Sequence, residues 1–382
     1  MILTVTLNPA LDITYGVDTL TRHGTHRVRA VAARPGGKGL NVAGVLRQLG
    51  EPVHATGLLG GATGAEVAGL LDGVPHTFTP IAGTTRRTVT VVDGDATGFW
   101  EPGPAVTADE WLSFVDAFAA LLRDAAVVVL SGSVPPGVPA DGYAALVVLA
   151  RQAGVPVILD ADGDPLRHGL AAGPDVVKPN AAELAGWLAA GAQAPPGPPH
   201  APDPPDPPHE RAPATARPTS QARAPADGTA RDPATRSHPD AAPDSARRAP
   251  ADGPAVRGGD VRPAAGGSPV PAGDGTLDAA RRMRAAGAGA VIATRGAEGL
   301  LAVTDTGAWR AAPPEPVPGN PTGAGDACTA AIARGLLHGT PWPEVLADAV
   351  ALSAAAVAEP VAGSVHLPTY RRLRSIVLTE EC

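Results

Sequence analysis

The chain has 382 residues, 44% of them hydrophobic, and a formal net charge of −8 at pH 7. That is enough apolar material for one large domain or two ordinary ones with a buried core. The acidic balance argues against nucleic acid or an anionic membrane surface as partner, and no uninterrupted apolar run reaches the ~18 residues of a membrane span.

From the N-terminus, ILTVTL (2–7) reads as a buried strand. The opening MILTVTLNPALD has neither a basic region nor a long apolar run, so a cytoplasmic location is expected. LDITYGV and THRVRAVAA then alternate polar and apolar residues with period two, as a half-exposed antiparallel sheet does, and RRTVTVVDG with TGFWEP repeats the pattern. Between these pairs GLNVAGVLRQLG reads as a helix. ADEWLSFVDAFAALLRD is the next helix, followed by strand AVVVLSG (126–132), helix ADGYAALVVLARQAG, strands VPVILD (155–160) and DVVKPN (175–180), and helix AAELAGWLAA.

A stretch of foreign composition interrupts this order. Residues 191–275 contain no Leu, Ile, Met, Phe, Tyr or Trp and only three Val, and their nine Arg nearly balance ten Asp and Glu. Ordering a residue costs ~1–2 kcal/mol of backbone entropy, and so little apolar surface cannot offset it, so this insertion is expected to be disordered. Beyond it come helix TLDAARRMRAAG, strand GAVIAT (289–294) and helix GDACTAAIARGLLHG.

Strands alternating with helices imply an α/β domain with a mostly parallel sheet covered on both faces. The period-two segments, within about 11–33 and 84–101, imply a second small sheet able to act as a lid. The domain is thus expected to comprise 1–190 and 276–382, the second part carrying the last glycine-rich motif.

In open α/β sheets ligands lie beyond the carboxyl ends of the strands, and each candidate motif falls there. PTGAGDA sets Gly323, Ala324 and Gly325 before Asp326 at a helix start. Glycines turn backbone N–H groups outward and the helix adds its positive pole, which suits a phosphate; the same stretch also reads as a turn followed by an acid that favours a helix N-terminus. ARPGGKGLNVAGVL puts Lys38 and Asn41 around another glycine turn, and lacks the Ser or Thr that a Walker A loop needs after its Gly-Lys pair. In VKPNAAEL, Asn180 and Glu183 share one helical face and suit either magnesium with its water shell or a capping box. TRGAEG follows a strand and offers Thr294 and Gly296 to a nucleotide, or makes only a turn. SGSVPPGV offers hydroxyls at a strand end, TTRRTV offers Arg86 and Arg87 for a phosphate, and Asp12 can hold sugar hydroxyls or cap a turn. Two cysteines, Cys328 and Cys382, cannot build a disulfide framework or a cysteine zinc site, and the ten His have no metal-ligand spacing.

TLNPALD, PGGKGLNVA, TTRR, SGSVPPG, VKPNAAEL, TRGAEG and PTGAGDA stand in the same order as in the ribokinase-like (PfkB) sugar kinases. The chain resembles that family everywhere except 191–275, and most closely its 1-phosphofructokinase and tagatose-6-phosphate kinase branch. The resemblance implies Asp326 as catalytic base, with the amides of Gly323, Ala324 and Gly325 as anion hole. It implies a sugar site of Asp12, Gly37, Lys38 and Asn41, and a grip on the substrate's existing phosphate by Arg86, Ser133 and Arg27. Lys178, Thr294, Gly296 and Gly299 match nucleotide positions, and Asn180 and Glu183 a motif tied to magnesium through water or phosphate. The implied reaction is ATP- and Mg²⁺-dependent phosphorylation of a phosphohexose, fructose 1-phosphate first, tagatose 6-phosphate or fructose 6-phosphate as alternatives, with a non-catalytic sugar-binding regulator as the competing class. The implied partners are small molecules and a second copy of the chain across the lid, with no nucleic acid and no membrane. Two departures stand out: Thr85-Arg86-Arg87-Thr88 replaces the family's frequent T-R-x-N, and LDADGD replaces its D-S/T-S-G around Asp160. The insertion, also foreign to the family, is expected to loop away and leave activity intact.

Overall fold

The computed structural model describes residues 1–190 and 275–382; the expected disorder of the insertion concerns residues outside those described, except Gly275, which begins a helix. The chain opens with β1 (Ile2–Thr6), β2 (Ala10–Gly16), β3 (Ala30–Gly36), α1 (Lys38–Gln48), β4 (Val53–Gly60), α2 (Gly61–Leu70), β5 (His76–Ile81), β6 (Arg86–Val92) and β7 (Ala96–Trp100). There follow α3 (Ala108–Leu121), β8 (Val127–Ser131), α4 (Gly142–Gln152), β9 (Val157–Asp160), α5 (Gly163–Ala171), β10 (Val176–Val177) and α6 (Ala181–Ala190). The last part holds α7 (Gly275–Ala285), β11 (Ala290–Thr294), β12 (Leu300–Val303), β13 (Ala308–Ala311), α8 (Ala324–His338), α9 (Trp342–Val357), α10 (Leu367–Arg374) and β14 (Thr379–Glu381).

Ten strands form one sheet in the order β14-β13-β12-β11-β10-β9-β8-β1-β4-β5. From β5 to β11 all neighbours are parallel, and β12, β13 and β14 add an antiparallel edge. The central strands are apolar on both faces because both faces are covered. Val127 and Val129 belong to the core built with α1, α2, α8, α9 and α10, whereas Val128 and Leu130 belong to the core built with α3 to α7. At about 25 cal/mol per Å², burying side chains of this size contributes ~1.5–3 kcal/mol each, so the stacked core fixes the strand order.

The second sheet runs β3-β2-β6-β7. The period-two pattern suggested an antiparallel sheet, and β2 does pair antiparallel with β3, and β6 with β7, but the central pair β2 and β6 is parallel. The reason lies in connectivity: β2 follows β1 and β6 follows β5, two parallel strands of the main sheet, so both leave it in the same direction. Two other boundaries move inward. The strand expected over 175–180 keeps its ladder only at Val176–Val177, and the long helix after Thr107 ends at Leu121 in a tighter turn over Leu122–Asp124. Thr107 and Glu110 start that helix with a reciprocal cap. Among the described residues no helix is long and apolar enough to cross a membrane.

Candidate active site

α8 begins at Ala324, directly after Gly323, whose φ of 88° is left-handed. A side chain on Gly323 would meet Ala362 at 2.8 Å, so glycine is required there by both conformation and space. The turn lets Asp326 enter the first helical turn while only 7% of its surface stays accessible. Its carboxylate Oδ2 accepts a hydrogen bond of 2.8 Å from Asn41 Nδ2 on α1. Burial, and then the negative charge of Asp160, push the Asp326 carboxyl up to about 7, while Asn41, Lys178 and Lys38 pull it down. A carboxylate poised near neutral pH suits a general base.

Behind Asp326 lies a buried charge cluster that the motifs, read one at a time, did not reveal. Lys38 Nζ donates to Asp160 Oδ1 at 3.0 Å, and Lys178 Nζ lies 3.2 Å from Oδ2 of the same residue. Thr329, one turn beyond Asp326 on α8, donates to Asp160 Oδ2 at 3.2 Å. Burial alone would raise Asp160, yet the two ammoniums hold it below the ordinary carboxylate range. Lys178 is itself held above its ordinary value: burial works to lower it, and Asp160 overrides that. Its Nζ comes within 3.6 Å of where a Cβ on Gly325 would stand, so this lysine borders the glycine cup. Lys38 has a second carboxylate at 3.9 Å, Glu183 Oε1.

Glu183 and Asn180 cap α6 for each other: Asn180 N donates to Glu183 Oε2 and Glu183 N to Asn180 Oδ1, each at 2.8 Å. The capping reading of this spacing is therefore the observed one, and Glu183 Oε1 remains turned to Lys38. Thr294 ends β11 in a parallel bridge with Asn180, and Gly296 and Gly299 follow with φ of 59° and 85°. A Cβ on Gly299 would collide with the Ala311 carbonyl at 2.0 Å.

On the lid, the registers Asp12↔Thr88 and Asp12↔Arg34 put these three side chains on one face, and Ala10↔Arg86 adds Arg86 to it. Burial raises Asp12 above the usual carboxylate range, opposed by the Thr88 hydroxyl and by Arg86. Its carboxylate lies where a Cβ on Gly36 would stand, at 2.2 Å, so the glycine beside Gly37 makes room for it. Arg86 donates to the Asn8 carbonyl at 3.3–3.4 Å and to the Glu101 carbonyl at 3.5 Å, and Asn8 Nδ2 reaches Ser133 Oγ at 3.1 Å. Arg34 reaches from the lid to the Ala362 carbonyl, 3.3 Å away, in the loop that packs on Gly323.

Two arginines stand apart. Arg87 pairs with Glu101 at 3.0 Å, and Arg27 is exposed with no hydrogen bond or ion pair among the described residues. Asn8, Arg34 and Thr329 were not singled out from sequence, and Thr88 only as a departure from T-R-x-N. Asn8 and Thr88 stood inside the quoted motifs, but only the folded arrangement reveals what they touch. Cys328 is buried on α8, where desolvation pushes its thiol up to about 12, so it packs and does not react.

Comparison with known proteins bears on the family and the fold. The family model described as pfkB family carbohydrate kinase matches residues 5–194 and 269–369. The tetrameric inhibited form of phosphofructokinase-2 from Escherichia coli superposes with a TM-score of 0.72 at 24% identity, covering 98% of each chain. A possible 1-phosphofructokinase from Thermotoga maritima gives 0.70 at 22% identity, over 100% of this chain and 99% of that one. Ribokinase from Arabidopsis thaliana, complexed with ribose and ATP, gives 0.62 at 18%, over 98% of each. Likeness at these identities speaks for the fold.

Proposed function

Since the chain belongs to the pfkB family of carbohydrate kinases, we propose that the hydroxyl it phosphorylates sits on a sugar already carrying one phosphate, with fructose 1-phosphate, converted to fructose 1,6-bisphosphate, as first choice. Family membership makes the protein a phosphotransferase acting on a sugar hydroxyl, with ATP as donor. The observation that carries the finer reading is the lid face that sets Arg86 beside Asp12, with Asn8 tied both to Arg86 and to Ser133. An arginine fork at the rim of a sugar site fits phosphate oxygens better than a neutral hydroxyl.

The chain's own groups then divide the chemistry. Asp12, Gly37, Lys38 and Asn41 hold the sugar, and Arg86 and Ser133 hold its phosphate; Arg27, which stands apart and exposed, would join them only once the substrate is bound. Thr294, Gly296 and Gly299 border the nucleotide. Asp326 takes the proton of the free primary hydroxyl as that oxygen attacks the γ-phosphorus in line, and ADP leaves as the bond from the γ-phosphorus to its bridging oxygen breaks. The amides of Gly323, Ala324 and Gly325 receive the charge on the transferring group, and Lys178, at the edge of the cup, adds to it. Among the described residues no three His, Cys, Asp or Glu side chains gather closely enough to hold a metal ion by themselves. The donor set therefore suits Mg²⁺ carried on the nucleotide phosphates, with Asn180 and Glu183 meeting it indirectly; when bound, such an ion neutralises phosphate charge.

The chain keeps both Asp326 and its glycine cup, which speaks against a silent sugar-binding regulator. Thr88, directed to Asp12 where relatives often carry an asparagine, keeps tagatose 6-phosphate and fructose 6-phosphate as alternatives. The test is an ADP-release assay of the purified chain with Mg-ATP against fructose 1-phosphate, fructose 6-phosphate, tagatose 6-phosphate and free fructose. A kcat/KM preference of about a hundredfold for fructose 1-phosphate is expected. Preference for free fructose would overturn the phosphate site, and background rates with all four would overturn the substrate class.

A further inference from the structure

Asp160 belongs to none of the roles above, although the sequence around it departs from the family pattern and three other parts of the fold converge on it. It ends β9, only 1% of it is exposed, and its contacts come from the start of α1 (Lys38), the turn before α6 (Lys178) and the first turns of α8 (Thr329). We propose that Asp160 is a positioning residue of the phosphoryl-transfer site, not a metal ligand: it clamps Lys38 and Lys178 beside the glycine cup and fixes the charge balance in which Asp326 works. This rests on the kinase reading above.

The geometry argues for a clamp in three ways. First, a carboxylate offers about four acceptor sites, and here three are occupied: Oδ1 by Lys38, Oδ2 by both Lys178 and Thr329. The one site left, on Oδ1, lies beside two ammoniums that would repel a metal ion. Second, Lys178 is only 5% exposed, and an unpaired buried ammonium is so unfavourable that it swings to water or loses its proton. Without Asp160, Lys178 would leave its place against Gly325. Third, Thr329 and Asp326 share α8, and the single Thr329 hydroxyl proton, shared between the Gly325 carbonyl at 3.1 Å and Asp160 at 3.2 Å, ties the catalytic helix to the carboxylate that holds both lysines.

The charged and polar groups facing Asp326 give the consequence a definite sign. They are Asp160 from β9, Lys178 from the turn before α6, and Lys38 and Asn41 from α1, with the Cys328 thiol next to Lys178 on its own helix. Asp160→Asn removes the repulsive charge and lets Lys178 withdraw. The Asp160 charge acts on Asp326 more strongly than Lys178 does, so the lost repulsion outweighs the lost attraction and the acid limb of the rate profile moves to lower pH. Lys178→Met removes an attractive charge and moves the limb to higher pH.

The experiment compares the full-length protein with Asp160→Asn and Lys178→Met, using the sugar phosphate found best for the unsubstituted protein. Three quantities are read: kcat between pH 5 and 9, the Mg²⁺ concentration for half activity, and the affinity for ATP by calorimetry without sugar. The expected result for Asp160→Asn is a kcat at least tenfold lower at pH 8, an acid limb shifted downward, ATP affinity several-fold weaker and an unchanged Mg²⁺ requirement. For Lys178→Met the limb shifts upward. An unmoved limb with activity restored by excess Mg²⁺ would make Asp160 a metal ligand and overturn the clamp. Equal loss at every pH with normal ATP affinity would also overturn it, leaving a role in folding alone. Should the unsubstituted protein phosphorylate no sugar, the kinase reading fails by itself, and the ATP arm still decides the clamp: undiminished affinity in both variants sinks it. Should Asp160→Asn not fold, a Lys178→Met limb that stays in place or moves downward overturns the proposal.

Discussion

Replacing Asp326 by asparagine should impair catalysis and strengthen the fold at the same time. Asparagine keeps the shape, so the Asn41 contact, 2.8 Å in length, still has an oxygen to accept it. Loss of a general base typically costs 10²–10⁴-fold, so kcat should fall by about that factor, equivalent to ~3–5 kcal/mol of transition-state stabilisation. The stability argument starts from the carboxyl, pushed up from 3.8 to about 7 by burial and by Asp160. Between those values the folded protein holds a proton that the unfolded chain has released, so stability falls as pH rises from about 4 to about 7. Above that window the ionised group destabilises the native state by up to ~4 kcal/mol, from about three pH units at 1.36 kcal/mol each. The substituted amide carries no such charge, so the variant should melt higher than the parent at pH 8 and alike at pH 4. Paired thermal melts at the two pH values, alongside ADP-release assays, test both halves. A kcat within tenfold of the parent would remove Asp326 from the role of base. A lower melting temperature at pH 8 would refute the electrostatic account of its burial.

Arg86→Ala should raise the KM for the sugar phosphate by ~10–150-fold, the equivalent of 1.5–3 kcal/mol for a charge-assisted contact, with kcat nearly kept; initial rates over a range of sugar phosphate check it, and an unchanged KM would move the phosphate site elsewhere. Gly36→Ala puts a methyl 2.2 Å from the Asp12 carboxylate and should abolish sugar binding in calorimetry, whereas Gly69→Ala, open on α2, should leave it intact and add about 0.5–1 kcal/mol of stability. On the lid, Val31 is 65% and Phe99 56% exposed on the same face, and if a second copy covers them, changing both to serine should shift the light-scattering mass to that of a monomer; a parent protein already monomeric would rule the dimer out.

The fold was legible where one signal dominates. Val127–Ser131 is a run of residues buried on both faces, and α3 carries its cap in Thr107 and Glu110. It was illegible where burial erases periodicity. α9 packs against α8 on one side and α10 on another, so WPEVLADAVALSAAAV has too narrow a polar stripe to announce a helix. α2 is written mostly in Ala, Gly and Thr, and half of β4 is too, a pattern that fits either state. The parallel pairing of β2 with β6 follows from the direction in which both strands leave the main sheet, a property of the whole topology that no local window contains.

The site divides along a similar line. Glycines can be read because the backbone forces them: Gly323 is left-handed against Ala362, and Gly36 yields its volume to Asp12. Partners of charge cannot, because Asp160 meets Lys38 across 122 positions and Thr329 across 169. The N-x-x-E spacing joins the two cases. Its capping and its functional readings looked like alternatives, yet the capping bonds use only Glu183 Oε2, which fixes the carboxylate and leaves Oε1 3.9 Å from Lys38. A cap that merely ended a helix would gain nothing from that second oxygen. Here it gives Lys38 a weaker, solvent-side partner opposite buried Asp160, so an arriving phosphate can draw the ammonium from Glu183 while Asp160 keeps hold of it. Within the proposed kinase, the cap and the site are then one arrangement, and Glu183→Gln, which preserves the cap through its remaining amide oxygen, separates them: helix stability should hold while the salt dependence of ATP binding changes.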